Sequence, residues 1–377
     1  MDRGAASTEV AVIAYVSLRE IPPASKTSDL VSMRPKLPIT RLLKAQRRWA
    51  KKTLRTVTAT SRKLIVKPRK TKPKKSRLVE IVSFGSNPGN LRMLIYVPPL
   101  LPARAPLVVV LHGCLQTARD YDEGSGWSLL AQRHGFLLLY AEQSRTNNPN
   151  RCFNWFQSHD ARRGSGEALS IRQMITRMRR SHSIDPGRIF ITGLSAGGAM
   201  ASVMLATYPE VFAGGGIIAG LPYGAASSLR QVVTAMKKPQ ARTAQQWGDL
   251  VRSASSHTGP RPTVSIWHGT ADRTVAAANA AALLSQWTNV HGVDEDVFRQ
   301  ASLAGHRHRT WSNRKGEAVV ELCLIEGMGH GTPVRRTKAQ ASARGAEHFM
   351  LDVGLSSPLH LAKSWGLVHR KRGRGRM

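Results

Sequence analysis

The chain has 377 residues, 41% hydrophobic and 21% charged, which is enough length and apolar content for one large α/β domain with extensions. These values exclude a wholly disordered protein, which would have too few apolar residues to form a hydrophobic core. The 56 Lys and Arg residues outnumber the 23 Asp and Glu residues, and the formal net charge is +33 at pH 7.

The basic excess is concentrated outside the central region and divides the chain. Residues 33–77 contain 18 Lys or Arg and no acidic residue, and residues 363–377 contain 6 and no acidic residue. We expect an N-terminal extension at 1–32, a basic segment at 33–77, one folded domain at 78–362 and a basic tail at 363–377. Met33 stands at the sharp change in charge, so translation from Met1 and from Met33 both stay open.

The basic segment is the candidate surface-binding part of the chain. Residues 39–57 mix basic and apolar side chains as amphipathic helices on anionic lipid do, and residues 63–77 are too charged to fold alone. Nonspecific contact with nucleic acid through counterion release is a further option. A solvated basic tail without any partner explains the same composition, so these interpretations stay open.

Strand and helix patterns alternate through the central region, which predicts an α/β fold. We expect a leading hairpin at 78–82 and 92–96, followed by strands at 107–111, 136–140, 189–192, 211–220, 263–267 and 318–325. We expect helices at 127–133, 167–180, 198–204, 276–287 and 339–351, and a mostly helical insertion at 222–260. The uncharged stretches at 189–209 and 211–229 are rich in Gly, Ala and Ser, so we interpret them as buried strand and helix and expect no transmembrane segment.

The most informative motif is Gly193-Leu194-Ser195-Ala196-Gly197, which follows an apolar strand pattern and precedes a run of small residues. This G-x-S-x-G in a strand–turn–helix setting is typical of a nucleophile elbow, where a sharp turn exposes a serine hydroxyl. Ser195 is therefore the candidate nucleophile.

Two further side chains follow predicted strands downstream, in the order that a Ser-Asp-His triad requires. Asp272 lies on the loop after the strand at 263–267, and His330 lies between glycines on the loop after the strand at 318–325. His330 is the candidate general base, and Asp272 the carboxylate that orients its ring. An Asp that only caps the following helix is the alternative for Asp272.

A negatively charged oxygen forms during acyl transfer and needs N–H donors. One expected donor is the backbone N–H of Ala196, directly after the nucleophile. The other is the N–H of Cys114, in the loop His112-Gly113-Cys114-Leu115-Gln116 after the strand at 107–111. We expect His112 to orient this loop and not to act as the base.

Five sequence blocks together resemble the polyhydroxybutyrate depolymerase family of esterases, which is related to feruloyl and acetylxylan esterases. The blocks, which lie within residues 79–351, are His112–Gln116, Cys152–Phe156, Gly193–Met200, His268–Asp272 and Gly327–Pro333. The resemblance implies an α/β-hydrolase fold, with a mostly parallel central sheet and helices on both faces, and hydrolysis of short-chain hydroxyacyl esters.

By position, the resemblance implies Ser195, Asp272 and His330 as the triad and Cys114 and Ala196 as oxyanion donors. It also places Trp155 beside the acyl pocket, with a core aromatic as the alternative, and makes Asn154 and Gln116 further pocket candidates.

Cys114 and Cys152 both fall in blocks expected to line the site, so we hypothesise a disulfide that braces the oxyanion loop against the Trp155 loop. A reducing cytoplasm would argue against it. No metal-binding spacing and no phosphate-binding loop is present, so we expect no cofactor.

No secretory signal is apparent, which favours a cytoplasmic or granule-associated protein, although the resemblance also allows an extracellular one. The main interpretation is a serine esterase acting on 3-hydroxybutyrate oligomers or polyhydroxybutyrate through an acyl-serine intermediate. One alternative is a feruloyl or acetylxylan esterase. Another is a protein associated with a granule, a membrane surface or nucleic acid, whose hydrolase domain is inactive.

Overall fold

A computed structural model describes residues 76–336 and 349–368. The expectations for residues 1–75, which include most of the basic segment, and for residues 369–377 lie outside the described part. The strands are β1 (Val79–Ile81), β2 (Arg92–Tyr96), β3 (Ala105–Leu111), β4 (Leu137–Glu142), β5 (Ile184–Leu194), β6 (Gly214–Ile218), β7 (Thr263–Gly269), β8 (Arg299–Leu303), β9 (His306–Ser312), β10 (Ala318–Ile325), β11 (Thr332–Val334) and β12 (Met350–Asp352).

Ten strands form one sheet in the order β1-β2-β4-β3-β5-β6-β7-β10-β9-β8. The six neighbours from β4 to β10 are parallel, whereas β1, β2, β9 and β8 pair antiparallel at the two ends. Strands β11 and β12 form a separate parallel pair. The α/β fold predicted from the alternating patterns, and the mostly parallel central sheet that the family resemblance implies, are confirmed. The parallel strands present their carboxyl ends at one common edge.

Helices cover the sheet and connect its parallel strands. They are α1 (Ala118–Ser125), α2 (Trp127–His134), α3 (Gly166–Ser181), α4 (Ala196–Thr207), α5 (Leu229–Lys237), α6 (Ala244–Ser253), α7 (Ala278–His291) and α8 (Ser357–Ser364). Helix α3 buries Ile171, Met174, Ile175 and Met178, the spacing that puts apolar side chains on one helical face. All twelve residues of α4 are buried, which explains why its sequence is apolar on every side.

The core consists of two apolar clusters, one on each face of the sheet. Alternation along β3 sends Leu107 and Val109 into one cluster and Val108 and Val110 into the other. Helices α3 to α7 pack into the first cluster, and helices α1, α2 and α8 into the second. Because both faces of the central strands are buried, they read in the sequence as continuous runs of apolar residues.

The structure corrects the predicted elements in three places. Strands β8 and β9 form an antiparallel hairpin that was not predicted, because nearly all of β8 is exposed and lacks an apolar pattern. Helix α1 was also not predicted; a capping box at Thr117 begins it. The helix expected at 339–351 falls mostly outside the described residues, but its end is wrong, since residues 350–352 form β12.

Across residues 76–336 and 349–368, no helix combines the length and apolar content needed to cross a membrane.

Candidate active site

Ser195 occupies the sharp turn between β5 and α4. Its backbone has φ 58° and ψ −117°, in a region that side chains with a Cβ rarely adopt. The N–H of Ser195 donates to the carbonyl of Ile218 at 2.9 Å, which ties the turn to the end of β6. A strained serine held at a strand–helix junction is the geometry that the G-x-S-x-G motif predicts.

Glycines on both sides of Ser195 allow the backbone segments to approach closely. A Cβ on Gly193 would lie 2.3 Å from the carbonyl oxygen of Gly197, and a Cβ on Gly197 would lie 2.5 Å from the carbonyl oxygens of Leu111 and His112. Neither contact is possible for a real side chain. The two glycines therefore let α4 begin directly against the end of β3.

Asp272 and His330 are in direct contact. Nδ1 of His330 donates to Oδ2 of Asp272 at 2.7 Å, and the other carboxylate oxygen accepts hydrogen bonds from the N–H groups of Thr274 and Val275 at 2.8 and 2.9 Å. The Asp272 side chain is fully buried. Because Nδ1 donates its proton to Asp272, Nε2 is the ring nitrogen that can accept a proton.

His268, at the end of β7, is a further member of this group that the sequence did not single out. Its Nε2 lies 2.9 Å from the carbonyl oxygen of Val275 and 3.5 Å from Oδ2 of Asp272. Burial opposes ionisation of Asp272, but the interactions with His268 and His330 outweigh it and hold the pKa of Asp272 well below its ordinary value. Asp272 is thus a stable carboxylate facing His330.

Ser195, Asp272 and His330 lie beyond the carboxyl ends of β5, β7 and β10. In the sheet order β5-β6-β7-β10, these strands are close neighbours, so the three residues share one edge. The structure joins Asp272 to His330, but within residues 76–336 and 349–368 the hydroxyl of Ser195 makes no hydrogen bond. The third contact of the predicted triad is therefore not formed in this conformation.

The two predicted oxyanion donors border the same turn. Ala196 is the first residue of α4, where backbone N–H groups have no acceptor within the helix. No described residue accepts a hydrogen bond from the N–H of Ala196 or of Cys114. The oxyanion loop, residues 112–116, adjoins the elbow, since a Cβ on Gly113 would lie 3.3 Å from the Leu194 side chain.

His112 is buried and holds the oxyanion loop in place. The N–H of Gln143 donates to His112 Nε2 at 3.1 Å, so Nδ1 bears the proton and donates to the Gly113 carbonyl at 2.7 Å. Burial lowers the pKa of His112, which keeps the ring neutral. The side chain of Gln116, expected near the pocket, accepts from the N–H of Gly113 at 2.9 Å and so also supports the loop.

Cys114 and Cys152 form a disulfide, with Cα atoms 4.3 Å apart. Next to it, the N–H of Leu115 donates to the carbonyl of Asn150 at 2.6 Å. The oxyanion loop is thus fastened to the segment that leads into Trp155. Cys323, on β10, is a buried free thiol.

The structure places Asn154 and Trp155 mainly in the protein interior. Trp155 is 7% exposed, belongs to the core cluster that includes α3 and α4, and packs edge-on against Phe156 at 5.7 Å. The N–H of Asn154 donates to Glu167 at 2.9 Å. The residue that organises this segment is therefore Glu167, at the start of α3, which the sequence did not mark as functional.

Glu167 is completely buried and also accepts a hydrogen bond from the side chain of Gln143. Burial, and next the negative charge of Asp160, raise the pKa of Glu167 to about 8. A Glu in the first turn of a helix is common, because it interacts favourably with the helix dipole. Its presence in the sequence therefore did not indicate that Glu167 is a buried acceptor that holds the segment containing Asn154.

Comparison with known proteins assigns the chain to a family. The family model described as "Esterase PHB depolymerase" matches residues 91–310, more than half of the chain. The chain belongs to the esterase PHB depolymerase family. Membership confirms the resemblance carried by the five sequence blocks, and it makes the protein a carboxylic ester hydrolase.

Two relatives of this PHB depolymerase family member show its position among esterases. It is 46% identical over 292 residues to poly(3-hydroxyalkanoate) depolymerase C of Paucimonas lemoignei, covering 77% of this chain and 70% of that one. It is 33% identical over 272 residues to an acetylxylan esterase of Coprinopsis cinerea, covering 70% of this chain and 72% of that one. The depolymerase and carbohydrate-esterase branches are thus both similar to it.

A solved structure with the same fold is the acetylxylan esterase of Aspergillus awamori. It aligns with a TM-score of 0.65 at 24% sequence identity, covering 77% of this PHB depolymerase family member and 99% of the other chain. The α/β-hydrolase fold implied by the motifs is confirmed.

Proposed function

We propose that this esterase hydrolyses poly(3-hydroxyalkanoate), such as polyhydroxybutyrate, or its short oligomers through an acyl enzyme on Ser195. The observation that carries the proposal is the strained Ser195 turn, on the same sheet edge as the hydrogen-bonded Asp272–His330 pair. The 46% identity to a poly(3-hydroxyalkanoate) depolymerase supports the substrate class.

In the first half-reaction, Ser195 Oγ attacks the ester carbonyl carbon while its proton moves to His330 Nε2. The imidazolium then gives that proton to the departing alkoxide, which leaves as an alcohol. Asp272 stabilises the imidazolium and fixes Nδ1 as the protonated nitrogen throughout. In the second half-reaction, water takes the place of the alcohol, and the hydroxy acid is released from Ser195.

The reaction needs the hydroxyl of Ser195 to meet His330 Nε2. Rotation of the Ser195 side chain about its Cα–Cβ bond changes the position of Oγ without moving the backbone, which Gly193, Gly197 and the bond to Ile218 hold fixed. Catalytic hydrogen bonds are often long in ligand-free structures and tighten when substrate binds. We therefore assign the third triad contact to the substrate complex.

The tetrahedral oxyanion would lie between the N–H groups of Cys114 and Ala196. Both donors lack an acceptor among residues 76–336 and 349–368, and the start of α4 favours negative charge. Each donor of this kind typically contributes about 3–4 kcal/mol to transition-state stability. The disulfide and the His112 hydrogen bonds would keep the Cys114 donor positioned before substrate arrives.

A carbohydrate esterase acting on acetyl or feruloyl groups is the second candidate, and the 33% identity to an acetylxylan esterase favours it. Product analysis on 3-hydroxybutyrate trimers, acetylated xylan and methyl ferulate separates the two candidates, with Ser195→Ala as the blank. Release of hydroxybutyrate at a rate well above the other two supports the depolymerase. Faster release of acetate or ferulate overturns the substrate class but leaves the triad intact.

The disulfide indicates the kind of cellular compartment in which the protein works. Disulfides form and persist in oxidising environments and are rare in the cytosol. We infer an oxidising compartment, in preference to the cytoplasmic location that the sequence suggested.

We further propose that the basic segment at residues 33–77 helps the enzyme dock on a polymer granule or an anionic lipid surface. Its 18 basic residues without an acidic one are the support. Deletion of residues 1–75 should weaken sedimentation with granules or anionic vesicles in low salt and leave turnover of a soluble ester nearly unchanged. Equal sedimentation of both proteins would exclude the docking role.

A further inference from the structure

Three side chains of the types that bind metal ions lie together on elements that do not carry the triad. This group consists of His308 on β9, Glu321 on β10 and His360 on α8, whose ligand atoms all lie within 4.8 Å of one another. The side chains are 13%, 18% and 17% exposed, respectively, so the group is mostly buried but open to small solutes. Nothing in the esterase mechanism uses it.

The distances within this group are too long for ordinary hydrogen bonds. Nε2 of His360 lies 3.5 Å from Oε2 of Glu321, and Nε2 of His308 lies 4.0 Å from Oε1. N–H···O hydrogen bonds in proteins typically measure about 2.7–3.2 Å. Both Nε2 atoms are buried and have no hydrogen-bond partner in the described part of the chain. Two buried nitrogens aimed at one carboxylate thus leave a polar gap between them.

The spacing suits a shared divalent cation. Ligands about 2.1 Å from a tetrahedral Zn²⁺ ion lie about 3.4 Å apart. The 3.5 Å from His360 Nε2 to Glu321 Oε2 already matches this value. His308 Nε2 lies 4.0 Å from the other carboxylate oxygen, Oε1, so the His308 ring would have to move toward the ion as it binds. Two imidazoles and one carboxylate, with a fourth position left for water, form a common ligand set for zinc and related transition metals.

Neighbouring side chains orient the carboxylate of Glu321. The hydroxyl of Ser265 donates to Oε2 of Glu321 at 3.0 Å, and Nε1 of Trp267 donates to Ser265 Oγ at 2.9 Å. The ring of His360 packs against Trp267 with ring centres 5.0 Å apart. Such supporting hydrogen bonds and contacts hold ligands in place around metal sites.

We propose that His308, Glu321 and His360 bind a divalent transition-metal ion, with zinc as the leading candidate. The three ligands come from β9, β10 and α8, so the ion would fasten the last described helix to the antiparallel end of the sheet. Its role would be structural, since the group lies on strand and helix interiors and not on the loops that carry the triad. The metal would stabilise the folded state by an amount that grows with the logarithm of the free metal concentration relative to its dissociation constant.

The test uses the full-length protein without an affinity tag, stripped with EDTA and dialysed, then titrated with ZnCl₂ by calorimetry and followed by thermal unfolding. The parent should bind one Zn²⁺ per chain at this site, and its Tm should rise with zinc concentration. His360→Gln and Glu321→Gln each remove a ligand, so each should weaken binding by more than the about 10- to 100-fold that loss of an outer hydrogen-bond partner causes, and should remove the Tm rise. His182→Gln, the same chemical change at a histidine outside the group, should bind and respond like the parent.

Two results overturn the proposal. One is no zinc binding and no Tm rise in the parent; the other is equal binding by the parent and the ligand variants, which would reveal adventitious sites on other side chains. If His360→Gln fails to fold, His308→Gln and the visible absorption of the Co²⁺-loaded parent and Glu321→Gln proteins decide the question. A tetrahedral Co²⁺ spectrum that Glu321→Gln retains unchanged counts against the site. Ser195→Ala should bind zinc like the parent, so this outcome is independent of the esterase proposal.

Discussion

Asp272 and His330 are 58 positions apart in the chain, yet Nδ1 of His330 donates a 2.7 Å hydrogen bond to Oδ2 of Asp272. Asp272→Asn should keep most of the fold, but an amide cannot hold the same imidazole tautomer or stabilise the imidazolium. We expect kcat for a soluble ester to fall about a thousand- to ten-thousand-fold near neutral pH. Steady-state kinetics check this, with the exposed Asp296→Asn as the matched control. An Asp272→Asn enzyme as fast as that control would remove Asp272 from the mechanism.

The elbow glycines give a steric prediction. Gly197→Ala would place a Cβ 2.5 Å from two backbone oxygens at the end of β3, and backbone atoms cannot move aside as a flexible side chain can. We expect a loss of about 1–3 kcal/mol in the free energy of unfolding, together with a large fall in kcat as Ser195 shifts. Gly187→Ala is the control, because its Cβ would meet its nearest neighbour at 3.6 Å. Denaturant unfolding that gives equal stabilities for the two variants would contradict the close approach of α4 to β3.

The disulfide yields a thiol count and a functional prediction. Unreduced, denatured protein should show one free thiol, Cys323, whereas three would show that Cys114 and Cys152 are not joined. Cys152→Ser should lose up to about 4 kcal/mol of stability, the chain-entropy value for a closed loop of this length. Its kcat should also fall, since the Cys114 N–H loses its anchor. Dithiothreitol should reproduce both effects in the parent and change nothing further in Cys152→Ser.

The raised pKa of Glu167 predicts that the stability of the folded state depends on pH. Its pKa is raised from an ordinary 4.5 to about 8, so between these values the folded state holds a proton that the unfolded state releases. The contribution of the protonated Glu167 side chain to the free energy of unfolding is therefore complete below pH 4.5 and is lost as pH rises through 8. Each pKa unit corresponds to about 1.4 kcal/mol, so this contribution to the free energy of unfolding amounts to several kcal/mol.

The comparison with Glu167→Gln isolates this group, because histidines elsewhere titrate equally in both proteins. The variant is expected to be less stable at pH 5, since an amide NH₂ group replaces one of the two carboxyl oxygens that accept hydrogen bonds from Gln143 and Asn154. Its free energy of unfolding should decline less steeply between pH 5 and 8. Denaturant unfolding across that range provides the measurement. Parallel curves for the two proteins would show that Glu167 does not carry the raised pKa.

Much of the fold was predictable because the buried parallel strands leave continuous apolar runs in the sequence, as at Val108–Val110. Ser195, Asp272 and His330 were identifiable because each follows such a strand, and parallel strands end at a common edge. Strand β8 was missed since an exposed strand carries no apolar pattern. Glu167 was missed because its role depends on complete burial against the segment that contains Asn154, which only tertiary packing reveals.

The nature of the third triad contact could not come from sequence either. Spacing along the chain predicts which side chains share the sheet edge, but the Ser195 rotamer depends on local packing and on substrate. His268 illustrates the same limit. Only the conformation of the loop after β7 brings Asp272 next to the His268 ring, and this conformation cannot be predicted from the sequence.

The rate of p-nitrophenyl butyrate hydrolysis by Ser195→Ala, relative to the parent, tests the central claim most directly. Ser202→Ala is the matched control, because Ser202 is a buried serine on the same helix α4 and lies outside the proposed triad. We predict that Ser202→Ala hydrolyses the ester at close to the parental rate and that Ser195→Ala loses about 10⁴-fold or more in kcat while its Tm stays similar. Equal rates in the parent and in a folded Ser195→Ala protein would contradict the account.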